Sequence, residues 1–162
     1  MVGPEEAILY VIGPNMDHVE ALTGVEGVRA RGRVVGSDEL LLFDSCKVFV
    51  SPAVSGQAAF KTKNMQPLAR GLPIVTTHIG AMGLRRNASH ISGITEVDID
   101  PDAFAKAVAS LISSEEEWTR QSQAASAFSA AHFLPHHLQA EMSAMLQHLR
   151  VRDHETSERA SL

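Results

Sequence analysis

The residues best suited to chemistry lie between positions 53 and 84. Lys61 and Lys63 stand two apart at the end of a loop of small residues, Ala53-Val54-Ser55-Gly56-Gln57-Ala58-Ala59, and at the start of a stretch with helical character. Backbone N–H groups in a small-residue loop before a helix can approach an anion, and the helix dipole favours its charge. Ammonium groups beside such a loop neutralise phosphate oxygens as point charges. The plainer reading of both lysines is two solvated charges at a helix start. Gln66 follows a turn later, and its side-chain oxygen can accept a hydrogen bond from a hydroxyl while its amide donates. Gly80 and Gly83, within Gly80-Ala81-Met82-Gly83, fit either close approach to a bound ligand or a tight turn with positive φ. His78 follows an apolar run, a position from which an acid–base group can point into a cleft. His132 and His136 are four apart, but Pro135 interrupts the helix between them and a third metal ligand is not evident, so no metal site is expected. No Ser-His-Asp order, Walker loop or Gly-x-Gly-x-x-Gly is present, which removes acyl transfer, nucleoside triphosphatase and dinucleotide readings. No catalytic residue is assigned.

These groups need a scaffold, and the apolar pattern describes one. Ala7–Gly13 and Lys47–Ser51 are nearly continuous apolar runs, the pattern of strands buried on both faces of a parallel sheet. Gly27–Gly32, Pro73–Thr77 and Ile94–Ile99 read as further strands. Between them, Asp17–Leu22 has short helical character, and Ser37 can cap a helix through Phe43. Phe60–Arg70 reads as a helix closed by Gly71, and residues 78–92 read as loop. The chain then turns helical. Asp100-Pro101 is a cap followed by proline at the first helical position, with Phe104, Val108, Leu111 and Ile112 on one face. Ser114 to Glu117 is a capping box opening a helix toward Ala131. A last helix runs to about Arg150, and its stripe of Leu138, Met142, Met145, Leu146 and Leu149 is expected to pack into the core. Strands alternating with helices predict an α/β fold with a doubly wound parallel sheet, whose ligands sit at the carboxyl ends of the strands. Residues 1–150 form one domain, and 151–162 are a polar tail expected to be disordered.

Composition sets limits on partners. The 162 residues carry a net charge of −5, which gives no general attraction to nucleic acid. No apolar run approaches the roughly 20 residues of a membrane span. The single cysteine, Cys46, cannot form an internal disulfide, and the first six residues carry no Lys or Arg. Both fit a cytoplasmic setting.

The order of motifs adds a resemblance. Val48–Pro52, then Lys61-Thr62-Lys63, then Gly71-Leu72-Pro73-Ile74-Val75-Thr76-Thr77, then Gly80-Ala81-Met82-Gly83-Leu84 resemble the nucleotide-sugar half of retaining GT-B glycosyltransferases of group 1. Ile8–Gly13, Val28–Val34 and Trp118 agree with the flanking pattern of that family. The resemblance implies a Rossmann-like domain that binds a nucleoside diphosphate sugar, such as a UDP-sugar, for transfer of a hexosyl group. No cofactor or metal is implied, because helix and lysine charges hold the leaving diphosphate. By resemblance, Gly56, Lys61, Lys63, Gln66, Gly80 and Gly83 are the substrate-binding positions.

The chain also departs from that pattern. The family's pair of glutamates falls on Ala58 and Gln66. Pro67 replaces an alanine, so the helix is expected either to kink there or to begin with Pro67. The family's first strand and helix, which precede the strand at Ile8–Gly13, are not matched, and neither is an acceptor-binding domain. The resemblance therefore leaves two expectations. One is a donor-binding domain that is inactive without a separate acceptor domain. The other is a catalytically dead relative acting as a binding or scaffold domain, with a partner or self-association.

Overall fold

A computed structural model describes residues 7–56, 61–84, 93–136, 139–140 and 142–147. Its elements run β1 (Leu9–Ile12), β2 (Val28–Arg31), α1 (Ser37–Ser45), β3 (Phe49–Ser51), α2 (Met65–Ala69), β4 (Ile74–Thr77), α3 (His78–Ala81), β5 (Ile94–Val97), α4 (Pro101–Ser113) and α5 (Glu115–His132). Short 3-10 turns at Met16–His18 and Glu20–Leu22 link β1 to β2, and another at Thr62–Asn64 leads into α2. All pairing among these strands is parallel, as the alternation of strand and helix predicts. The strands form two sheets, one of β1 and β2 and one ordered β3-β4-β5.

The central strand of the larger sheet shows why the fold holds. Ile74, Val75, Thr76 and Thr77 are all buried, as a strand covered on both faces must be. Leu68 of α2, Ala81 of α3, Leu84, Ile94 of β5 and Ala125 of α5 close around Ile74, with Phe49, Phe128 and Phe133 packed outside them. Complete burial of each large aliphatic side chain contributes about 1.5–3 kcal/mol. Phe128 and Phe133 meet edge to face at 5.7 Å, and Phe43 meets Phe49 likewise at 6.0 Å.

The two long helices start where side-chain caps predict. Asp100 Oδ1 accepts from the Ala103 N–H at 2.8 Å, and Ser114 Oγ accepts from the Glu117 N–H at 3.2 Å. Glu117 does not return the bond to Ser114. Its carboxylate takes Arg120 and Gln121 instead, and these hydrogen bonds hold it down to a pKa of about 2. Trp118 anchors the start of α5 to the strand layer by donating Nε1–H to the Lys47 carbonyl at 2.7 Å.

Several sequence expectations are corrected. Gly36, not Ser37, occupies the cap position of α1, and Ser37 is its first residue. Pro67 neither kinks nor starts α2. The helix begins at Met65, and Pro67 is its third residue, where a helix leaves N–H groups unpaired and a missing donor costs little. Residues 78–81 form a helical turn rather than loop. Met142, Met145 and Leu146 are helical but exposed, so the expected packing of that stripe is not seen. Leu138, Leu149 and the 151–162 tail lie outside the described residues.

Helix α5 lies unusually close to the segments that enter β4 and β5. A Cβ added at Gly93 would fall 2.4 Å from Ala125 Cα, and the Gly93 φ is +80°. Gly93→Ala therefore meets both backbone strain and a helix backbone that has no room to yield. The expected cost is about 3 kcal/mol or more. Thermal unfolding of the variant checks it, and a melting temperature within a degree of the parent would show that α5 moves aside freely.

Candidate functional site

The carboxyl ends of β3 and β4 form a single fixed point, and two threonines make it. Thr76 Oγ1 donates to the Ser51 carbonyl at 2.8 Å. Thr77 Oγ1 donates to the Ala53 carbonyl and accepts from the Gly80 N–H at 3.2 Å. The exit of the chain from β3 into the small-residue loop is thus tied to β4 by side-chain bonds that continue the ladder. Gly80 completes the junction. A Cβ there would lie 1.9 Å from Thr76 Oγ1 and 3.1 Å from the Ser51 carbonyl oxygen, so the position admits only glycine.

The far end of the loop is tied to the same place. Asn64, fully buried at the end of the 3-10 turn, donates its Nδ2 to the Gly80 carbonyl at 3.0 Å. The lysines of the sequence motif lie immediately before this anchor, with Lys61 ahead of the turn and Lys63 within it. The chain is therefore tied before the loop at Ser51 and Ala53, by Thr76 and Thr77, and after it at Asn64. Two buried polar atoms of the clamp, Ser51 Oγ and Asn64 Oδ1, meet no hydrogen-bond partner among the described residues. Unmet polar groups of this kind are costly, about 1–3 kcal/mol each, and are few in native proteins.

The sequence-predicted site residues fall into two groups. Gly56, Lys61 and Lys63 come together. The Lys61 ammonium sits 3.3 Å from where a Gly56 Cβ would be, so it lies directly against the Gly56 backbone. Lys63 carries a pKa below the ordinary lysine range, because partial burial removes water from its ammonium and the Lys61 charge repels it. Gln66 is the second residue of α2 and exposed, three positions after Lys63 and so on the same side of the helical stretch. Gly80 is buried, and its missing side chain is used by Thr76 and Ser51. Gly83, with φ +81°, forms an exposed turn after α3. Ala58, where the first glutamate of the family pair would stand, lies outside the described residues.

A second feature opens beside the first. His78, at the end of β4, lines an open cavity of about 360 Å³ with Glu96, Val97, Asp98 and Ala103. It sits at the carboxyl ends of β4 and β5, where ligands of parallel sheets bind. His132 packs against Phe128 with ring centroids 4.6 Å apart and the planes tilted by 49°, which accounts for it as packing. Among the described residues no cluster of three metal-ligating side chains occurs, and no helix is long and apolar enough to cross a membrane.

Sequence reasoning missed Asn64, Thr76 and Thr77. The only signal was a pair of threonines ending an apolar run and an asparagine placed directly after the lysines. Asn64→Ala leaves the buried Gly80 carbonyl without its donor, an expected loss of about 1–3 kcal/mol. A shift of the urea midpoint with unchanged slope checks it, and an unchanged midpoint would show that the clamp is not held by this bond.

The geometry can now be set beside known proteins. No curated protein sequence matches the chain. Residues 2–114, spanning all five strands, match the family described as glycosyl transferases group 1, and the chain belongs to that family.

Proposed function

We propose that this chain is a donor-binding domain of a group 1 glycosyltransferase and takes a nucleoside diphosphate sugar. The observation that carries the reading is the lysine pair clamped at the carboxyl end of the parallel sheet. Lys61 lies against Gly56, and Lys63 is partly stripped of water beside it. Two neighbouring ammonium groups repel one another, and a diphosphate lying between them removes that repulsion. Lys61 and Lys63 grip the diphosphate oxygens, with N–H groups of the preceding loop in support. Gln66 offers one acceptor to a ribose hydroxyl, where a carboxylate would offer more. The sugar then lies toward the cavity lined by His78, Glu96 and Asp98. In the transfer step these groups hold the departing diphosphate and stabilise its growing charge. They supply no attacking group, and the chain on its own binds donor without transferring it.

The second reading is a scaffold that kept the fold and lost the chemistry. Gln66 in place of a carboxylate is the observation in its favour.

Titration calorimetry with UDP, GDP and their sugar conjugates separates the two readings. Donor binding predicts measurable affinity for at least one nucleotide. Lys63→Ala should weaken it about 10- to 100-fold, the value of a hydrogen bond to a charged group. Gln66→Glu should tighten it. No binding of any nucleotide by either the parent or Gln66→Glu sinks the donor reading and leaves the scaffold. The pH dependence follows from the same site. Bound diphosphate raises the lowered Lys63 pKa, so the complex holds more proton than the free protein. Affinity should therefore fall as pH rises through the range just below that of an ordinary lysine, and Lys63→Ala should flatten that fall. A parent profile that is flat across that alkaline range would remove Lys63 from the site.

A further inference from the structure

Two short runs of opposite charge share one spacing. Arginine stands at every second position of Arg29-Ala30-Arg31-Gly32-Arg33, and aspartate at every second position of Asp98-Ile99-Asp100-Pro101-Asp102. All of these charged residues are exposed.

The arginines differ from the other paired cations of the chain. Lys47, Arg70 and Arg120 meet the carboxylates of Glu115, Asp44 and Glu117. Arg29, Arg31 and Arg33 meet no carboxylate among the described residues. Strand β2 alternates, so Arg29 and Arg31 share one face, about 7 Å apart along the strand. Both are partly held in place. The Arg31 guanidinium rests over the Tyr10 ring, 5.6 Å from its centroid, and Arg29 donates to the Val28 carbonyl at 3.1 Å. A guanidinium has five donors, so most of each fork remains open. Charges on an edge strand often serve to keep copies apart. That requires the sign of the approaching surface. The chain carries a net charge of −5, so a row of arginines draws another copy in rather than repelling it.

The aspartates form the matching surface, where the chain leaves β5 and enters α4. Asp100 caps α4. Asp98 and Asp102 flank it and meet no cation among the described residues. Each run also carries an exposed aliphatic side chain. Ile99, between Asp98 and Asp100, is 48% exposed, and Val35, two positions past Arg33, is 58% exposed. Apolar surface bordered by charge is the make-up of a contact patch.

We propose that the arginine row of one copy docks on the aspartate run of a second copy of this chain. Charge complementarity selects the occupant. Guanidinium forks pair with carboxylates bidentately, and neither run finds its counterpart within its own chain. One exposed ion pair contributes little, so the contact depends on the charges acting together around Val35 and Ile99. Asp98 also lines the cavity beside His78, so the arginines of the second copy reach that cavity's acidic side.

Sedimentation velocity on the intact chain tests this, with protein concentration and salt both varied. Association should grow with concentration. It should weaken about tenfold or more between about 50 and 500 mM salt, as screening shortens the reach of the charges. The double variant Arg29→Asp, Arg31→Asp should be monomeric, and so should Asp98→Arg, Asp102→Arg. Mixed one to one, the two variants should associate, because each supplies the charge that the other has lost. Circular dichroism checks that both are folded. If charge reversal disturbs the fold, Arg29→Gln with Arg31→Gln removes the charge more gently and should give the same loss. Three results overturn the proposal. A parent that stays monomeric at low salt does so, and heparin binding lost in the glutamine variant would then assign the row to a polyanion. Association that survives neutralisation or reversal of either run would place the contact elsewhere. Folded variants that stay monomeric when mixed would show that the two runs do not meet.

Discussion

The arrangement of the site depends on one close approach, the seating of Gly80 against Thr76 and Ser51. Any side chain at Gly80 would enter the space of the Thr76 hydroxyl. With that space kept free, Thr76 bonds Ser51, Thr77 bonds Ala53, and the Gly80 carbonyl is left in reach of Asn64. The junction thereby joins the ends of β3 and β4, the start of α3 and the entry to α2. These are the four pieces of chain that bound the lysine loop. Without it, Lys61 and Lys63 would be two charges on a free surface segment, with the entropy of such a segment to lose on binding. With it, the backbone beside Lys63 is held at Asn64, which on the proposed reading leaves less ordering for a ligand to impose.

The same dependence explains what could be read from the sequence. Elements governed by local chemistry were legible. Asp100-Pro101 and Ser114 start helices because a side-chain oxygen three residues ahead of an N–H suffices. Strands β1 and β3 declare themselves by apolar runs, and β4 by its β-branched residues. Misreadings arose where the outcome depends on distant partners. The stripe of Met142, Met145 and Leu146 has helical spacing, but spacing says only that a face exists, not that something covers it. The division into two sheets is likewise invisible locally, since apolar runs identify strands but not their neighbours. Pro67 was misplaced because it was expected either to kink the helix or to begin it. The helix starts at Met65, between the two expected starts at Phe60 and Pro67, which puts Pro67 in the first turn, where it is tolerated.

The site was half legible for a related reason. Lysines beside a small-residue loop are chemically suggestive on their own, and the structure brings Gly56, Lys61 and Lys63 together. Gly80 and Gly83 were read alike, yet they differ. Gly80 is used by internal packing, and Gly83 by a turn with positive φ. Asn64 was not singled out, because a polar residue between a lysine and a methionine looks solvated until its burial is known. Its importance comes from Gly80, 16 positions away.

The charge of the whole chain sharpens what the lysines must do. At a net charge of −5, the protein offers a dianionic ligand no long-range attraction. Charges beyond about 8 Å are screened at physiological salt, so the distant acids neither repel the ligand strongly nor help it. On the proposed reading, recognition of a diphosphate comes from contact: two ammonium groups and backbone N–H groups. Partial desolvation of Lys63 makes that contact more selective. The Lys63 side chain is exposed, with its ammonium partly desolvated and repelled by Lys61, so on the proposed reading a multiply charged anion relieves that repulsion more than a monoanion does. A neutral sugar relieves neither, so on the proposed reading the diphosphate, rather than the sugar it carries, sets the affinity.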